Sequence, residues 1–195
     1  MKIIGLTGGI GMGKSTCAAQ FRRARVPVFD ADLVVHRLQG PRGRALPAIE
    51  AAFPGTVCEN RLDRAALRTA VLGKPDALRR LEGIIHPMVR DEERRFLGRA
   101  RRAGARAVVL DIPLLLETAD LDRVDLIVVV SAPRAVQIHR VWLRRKMDRA
   151  QIEAIIVRQM PDLQKRRMAD VVVRTGLSRF FTIRAIKHIV VGILK

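Results

Sequence analysis

The chain has 195 residues, 49% of them hydrophobic and 29% charged, with two cysteines and a formal net charge of +18. That length and apolar share allow one core of ordinary size, and with no run of about 18 apolar residues a spanning helix is excluded. Two cysteines make neither a disulfide framework nor a metal cluster, and no signal-peptide pattern opens the chain, so a cytoplasmic location with no membrane partner is expected.

The positive charge admits nucleic acid, anionic lipid or a polyphosphate ligand. However, the excess is mostly arginine spread along the whole chain, which a GC-rich coding bias also produces. Aromatic residues make up only 4%, too few for base-stacking platforms. Nucleic acid is therefore not the expected partner.

In chain order, the first apolar run, KIIGLT at 2–7, reads as a buried strand. Directly after it, Gly8-x-x-x-x-Gly13-Lys14-Ser15 completes a phosphate-loop pattern between a strand and a helix. Glycines at 8, 9, 11 and 13 let backbone N–H groups turn toward phosphate oxygens, and Met12 presents its backbone among them. Lys14 is expected at the β- and γ-phosphates, Ser15 on Mg²⁺ and Thr16 at the α-phosphate, with the helix N-terminus adding its positive end. A nucleoside triphosphate with Mg²⁺ as cofactor follows from the pattern. The group that receives the phosphoryl does not.

A second strand, VPVFD at 26–30, ends at two carboxylates, Asp30 and Asp32. A carboxylate there can take a proton from an attacking hydroxyl or hold metal-bound water; Asp30 also suits the N-cap of the next helix. Residues 33–104 show no strand pattern and read as an inserted helical subdomain. GPRG at 40–43 marks a turn, Asp63 caps a helix over 62–72, and another helix opens after Pro75 until Pro87 ends or kinks it. His86 beside that proline is a lone histidine.

RAVVLDI at 106–112 is the third strand, and Asp111 at its end is placed to position Mg²⁺. Leu114–Leu116 form either an apolar wall beside the acceptor or plain core; Glu117 faces the site or caps a helix. DLIVVVS at 125–131 is the fourth strand. The basic helical segment 133–168, interrupted by Pro161, reads as a mobile flap rather than core. Arg140 and Arg144 stand at i, i+4 on one helix face, where they can close over a triphosphate or form a solvated basic surface. DVVVR at 170–174 is the fifth strand, and 178–195 a closing helix. His36, His139 and His188 belong to no metal-binding cluster. Strands alternating with helices predict an α/β fold with a five-stranded parallel sheet and ligands at its carboxyl edge.

GLTGGIGMGKST (5–16), VFDAD (28–32), LDRAALR (62–68), IIHPMV (84–89), DIPLLLE (111–117) and QMPDLQKRRMADVVV (159–173) together resemble the dephospho-CoA kinase family. Order and spacing agree from residue 3 to about residue 173. The resemblance implies a sheet of P-loop nucleotide-kinase type and ATP-dependent phosphorylation of the ribose 3′-hydroxyl of dephospho-CoA, the last step of CoA biosynthesis. It makes Asp32 the general base, Lys14 the phosphate lysine and Arg140 the lid arginine; Arg144, on the same helix face, is expected at ATP from its spacing. Residues 33–104 become the acceptor subdomain, with His86 and Pro87 as acceptor contacts, and 133–168 the lid; Leu114 and Glu117 after the third strand are the further acceptor contacts expected. The core is then 1–32, 105–132 and 169–195. ATP and dephospho-CoA are the expected partners of a monomer or weak homo-oligomer. The sequence departs from the family at Met12, at Arg174–Thr175, where an asparagine-containing turn is usual, and in a lid turn without glycine. Rival readings are a kinase of another small hydroxyl acceptor and a basic, nucleic-acid-associated ATPase.

Overall fold

The computed structural model describes residues 1–117 and 121–194. In chain order, β1 (Lys2–Thr7), α1 (Lys14–Arg23), β2 (Val28–Asp30), α2 (Ala31–Leu38) and α3 (Leu46–Ala52) precede a short pair, β3 (Val57–Cys58) and β4 (Arg61–Leu62). There follow α4 (Arg64–Val71), α5 (Pro75–Arg102), β5 (Ala107–Asp111), β6 (Leu126–Ser131), α6 (Arg134–Arg145), α7 (Arg149–Val157), α8 (Asp162–Arg167), β7 (Val171–Arg174) and α9 (Arg179–Leu194). The chain divides into two compact units, Met1–Phe29 with Ala100–Lys195, and Asp30–Arg99. No described helix is long and apolar enough to cross a membrane.

The first unit is built on a five-stranded parallel sheet in the order β2-β5-β1-β6-β7. β1 lies in the middle, with Leu6 opposite Asp111 of β5 and opposite Val128 of β6. The strands are continuous runs of Val, Ile and Leu because both faces are covered; every residue of β5 is buried. On one face Ile4, Leu6, Val128 and Val130 pack with Phe21 of α1 and Ile186 of α9. Full burial of a side chain such as Phe21 contributes about 1.5–3 kcal/mol.

The second unit is mainly helical. Asp63 caps α4 by accepting from the amides of Ala65 and Ala66, as its sequence position predicts. Ion pairs link its elements: Arg37 reaches Glu92 at 2.7 Å, and Arg44 reaches the same residue at 3.4 Å.

One sequence expectation for this stretch needs correction and another is narrowed. Residues 57–62 form an antiparallel hairpin where no strand was expected. Each strand has only two residues, too few to show a period. The loop residues Glu59 and Asn60 both take positive φ, 50° and 58°, the backbone that matches hairpin twist. Pro87 does not end its helix, since α5 runs through it for 28 residues. The ring removes one amide donor and crowds the carbonyl four residues back, and that carbonyl belongs to Gly83, the residue with most backbone freedom.

Candidate active site

The loop after β1 takes its shape from glycine at two positions above all. Gly11 has φ +73° and Gly13 has φ +94°, values that side-chain-bearing residues adopt only with strain. Space is closed there too: a Cβ on Gly11 would stand 2.7 Å from the carbonyl oxygen of Gln137, and one on Gly13 would stand 3.0 Å from Thr175 Oγ1. Gly13 is the N-cap of α1 and offers no side chain to its first turn. Among the described residues the amides of Gly11, Gly13, Lys14 and Ser15 meet no acceptor. A row of free donors at the positive end of a helix is a phosphate cradle.

Lys14 leaves this loop toward β5 and is ion-paired with the buried Asp111. The structure thus joins two residues that the sequence places apart. Ser15 is exposed at the helix start and Thr16 half-buried. Gly9 lies beside Gln137 and Gln159, while a Cβ on Gly8 would press on the Val130 carbonyl. Met12 does more than present its backbone. Its side chain is 3% exposed, and its sulfur accepts from the Ala132 amide at 3.1 Å.

Arg140 of α6 comes to the loop through the turn after β7. Its guanidinium donates to Thr175 Oγ1 at 3.0 Å and to the Thr175 carbonyl at 2.7 Å. Thr175 Oγ1 in turn donates to the Met12 carbonyl. The turn that departs from the family pattern is therefore a fastener between α6 and the phosphate loop. Arg144, one helical turn on, is exposed and has no ion pair or hydrogen bond among the described residues. A cavity of about 500 Å³ opens here, lined by Gly13, Ser15, Thr16, Arg140, Thr175 and Leu177 among others. Its size is that of a small-molecule site.

Beyond β5, the Pro113 carbonyl accepts from Thr7 Oγ1 at 2.8 Å. Leu115 and Leu116 are core, whereas Leu114 is 46% exposed. Glu117 accepts from Lys165 Nζ at 2.6 Å and from the Met160 amide at 3.3 Å. Lys165 itself is 1% exposed, so the basic stretch around it is not all surface as its composition suggests. A buried ammonium is tolerated because it is paired.

In the second unit, Asp30 caps α2 by accepting from the Leu33 amide at 3.0 Å. Asp32, in the first turn of α2, is exposed, and so are His86 and Pro87 within α5. Among the described residues no group of three or more His, Cys, Asp or Glu could hold a metal. Cys17, below the loop, is pushed up to about 12, first by burial and then by the Asp111 charge. It stays a thiol and is no nucleophile.

Family models match residues 2–178 to dephospho-CoA kinase. The dephospho-CoA kinase of Gluconobacter oxydans is 53% identical over 190 residues, covering 95% of this chain and 94% of that protein. The dephospho-CoA kinase of Brucella melitensis is 48% identical over 193 residues, 99% and 96% of the two chains. A crystal structure of a Thermus thermophilus protein, 34% identical, superposes with a TM-score of 0.86 and covers 100% of this chain and 98% of that one. The chain belongs to the dephospho-CoA kinase family.

For a member of this family, four residues outside the sequence-derived set stand out around the loop: Thr175, Gln137, Gln159 and Lys165. Their partners lie 35 to 163 residues away in the chain. Polar side chains in helices and turns look like surface in a sequence, and no local signal marks them as fasteners.

Proposed function

We propose that this protein transfers the γ-phosphoryl group of ATP to the ribose 3′-hydroxyl of dephospho-CoA, giving CoA and ADP in the last step of CoA biosynthesis. The observation that carries the reading is the set of amides of Gly11, Gly13, Lys14 and Ser15, which meet no acceptor among the described residues, beside the Lys14 side chain, in a chain of this family.

On this reading the amides and Lys14 hold the β- and γ-phosphates, and Thr16 the α-phosphate. The nucleoside occupies the cavity beside Arg140 and Thr175. Arg140 neutralises charge that develops during transfer, with Arg144 joining from the same helix face. Asp32 follows β2 by two residues and takes the proton of the attacking hydroxyl. Asp30, already occupied as a helix cap, is left out of that role. His86, Pro87, Leu114 and Glu117 contact the acceptor, and helices α6–α8 act as the lid that excludes water.

A Mg²⁺ ion fits the donor set. Mg²⁺ takes few protein ligands and completes its shell with phosphate and water; the exposed Ser15 hydroxyl and, through water, Asp111 would hold it. When bound, the ion screens the phosphate oxygens against the incoming hydroxyl.

The test is a coupled assay with dephospho-CoA and MgATP, set beside a panel of nucleosides, nucleotides and shikimate, with Lys14→Ala as control. Preferred turnover of dephospho-CoA, abolished in the control, is expected. Equal rates across the panel would refute the assignment.

A further inference from the structure

Two side chains from distant parts of the chain meet on one residue of the phosphate loop. Gln137 of α6, 3% exposed, donates from Nε2 to the Ile10 carbonyl at 2.8 Å. Gln159, just after α7, accepts at Oε1 from the Ile10 amide at 3.0 Å. The two side-chain orientations are unambiguous, since a backbone carbonyl needs a donor and an N–H needs an acceptor. Both polar groups of Ile10 are thereby engaged, and the Ile10 amide is withdrawn from the set that faces a ligand.

Gly9 makes room for this arrangement. A Cβ there would lie 3.1 Å from Gln159 Oε1 and 3.4 Å from Gln137 Nε2. Gln159 is itself the first residue of an anchored stretch: the Met160 amide donates to Glu117, Asp162 accepts from Ser131 Oγ at 2.8 Å, and Lys165 pairs with Glu117. The clamp is thus tied to Glu117, beyond β5, and to Ser131 at the end of β6.

We infer that Gln137 and Gln159 are positioning residues for the phosphoryl donor. They fix the rotation of the peptide groups on either side of Ile10, and so aim the amides from Gly11 onward. The inference rests on the reading of this loop as the ATP site. A loop with glycines at 8, 9, 11 and 13 has much conformational freedom to lose on binding; ordering it in advance removes that cost from the affinity for ATP. Neither glutamine needs to touch the nucleotide to act in this way. Because both hold the same residue, their losses should not add.

Gln137→Leu, Gln159→Met and the double variant test this in the full chain. Each single variant is expected to raise the KM for ATP about tenfold while the KM for dephospho-CoA stays within about twofold of the parent. The double variant should be little worse than either single one. Unchanged KM for ATP in both folded single variants, an equal rise in both KM values, or fully additive losses would overturn the inference. Amide exchange in the parent protein without nucleotide gives a check that needs no variant: the Ile10 N–H should exchange far more slowly than that of Gly11, and equal rates would overturn it. If the parent binds no ATP at all, the functional reading has failed; normal ATP use by parent and variants alike sinks only the clamp.

Discussion

In the first unit, Lys14 rests on Asp111, Arg140 on Thr175 and Lys165 on Glu117. In the second, Asp32, His86 and Pro87 stand exposed on α2 and α5. The proposed donor residues Lys14 and Arg140 are thus held by bonds within the protein, whereas Asp32, His86 and Pro87, proposed on the acceptor side, present exposed side chains. A group held by its neighbours contributes to folding as well as to function; an exposed one contributes to function alone. Substitutions in the two regions should therefore separate stability from turnover.

The largest expected effect comes from the bare side. Asp32→Asn should lower kcat by roughly 10²–10⁴-fold while leaving ATP affinity and the unfolding midpoint near the parent values. Steady-state kinetics, nucleotide titration and thermal melting read the three quantities. A drop in ATP affinity as large as the drop in kcat would remove Asp32 from the role of base.

Glu117→Ala should lower stability, which Asp32→Asn leaves unchanged. Removing this carboxylate leaves the buried Lys165 ammonium without its counter-charge, at a cost of roughly 3 kcal/mol. The melting temperature should fall by about 10 °C, which calorimetry would show. A stable variant with unaltered melting would mean that the pair contributes nothing to the fold.

A smaller gain is expected at the end of α6. Lys146 closes that helix in the left-handed region, with φ +50°, where glycine is the residue of least strain. Lys146→Gly should stabilise the protein by roughly 0.5–1 kcal/mol, read as a shift in the denaturation midpoint. The turn between α6 and α7, which lacks glycine in the sequence, is made here by a lysine in a glycine conformation.

The smallest effect belongs to the second unit and to acid. Glu50 accepts from the amides of Gly55 and Val57, both at 2.7 Å, and these bonds hold its carboxyl below its ordinary 4.5. Its contribution is complete above the unfolded value and disappears as pH falls through the lower folded one. Between about pH 5 and pH 3, the parent should lose protection of these two amides, and Glu50→Gln should lose the pH dependence. A parallel decline in both proteins would contradict the sign.

The sheet was readable in the sequence because its strands are unbroken apolar runs, and the loop because glycine, lysine and hydroxyl fall at a spacing with one known use. The caps at Asp30 and Asp63 were readable for the same local reason. What escaped is non-local or too short. The 57–62 hairpin has two residues per strand, and Glu59 gives no hint of positive φ. Pro87 lies inside α5, four residues after Gly83, a spacing that neither residue advertises alone. Lys165 reads as one more basic residue among neighbours until the fold brings Glu117 to it.

The pairing of Lys14 with Asp111 also bears on the sequence of events at the loop. A lysine that already has a carboxylate is not the first group to greet an arriving anion; the idle amides are. On the proposed function, capture would therefore begin on the main chain, and the ammonium would change hands only when the phosphate tail is long enough to draw it from Asp111. A single phosphate, stopping at the amides, would leave that exchange unmade.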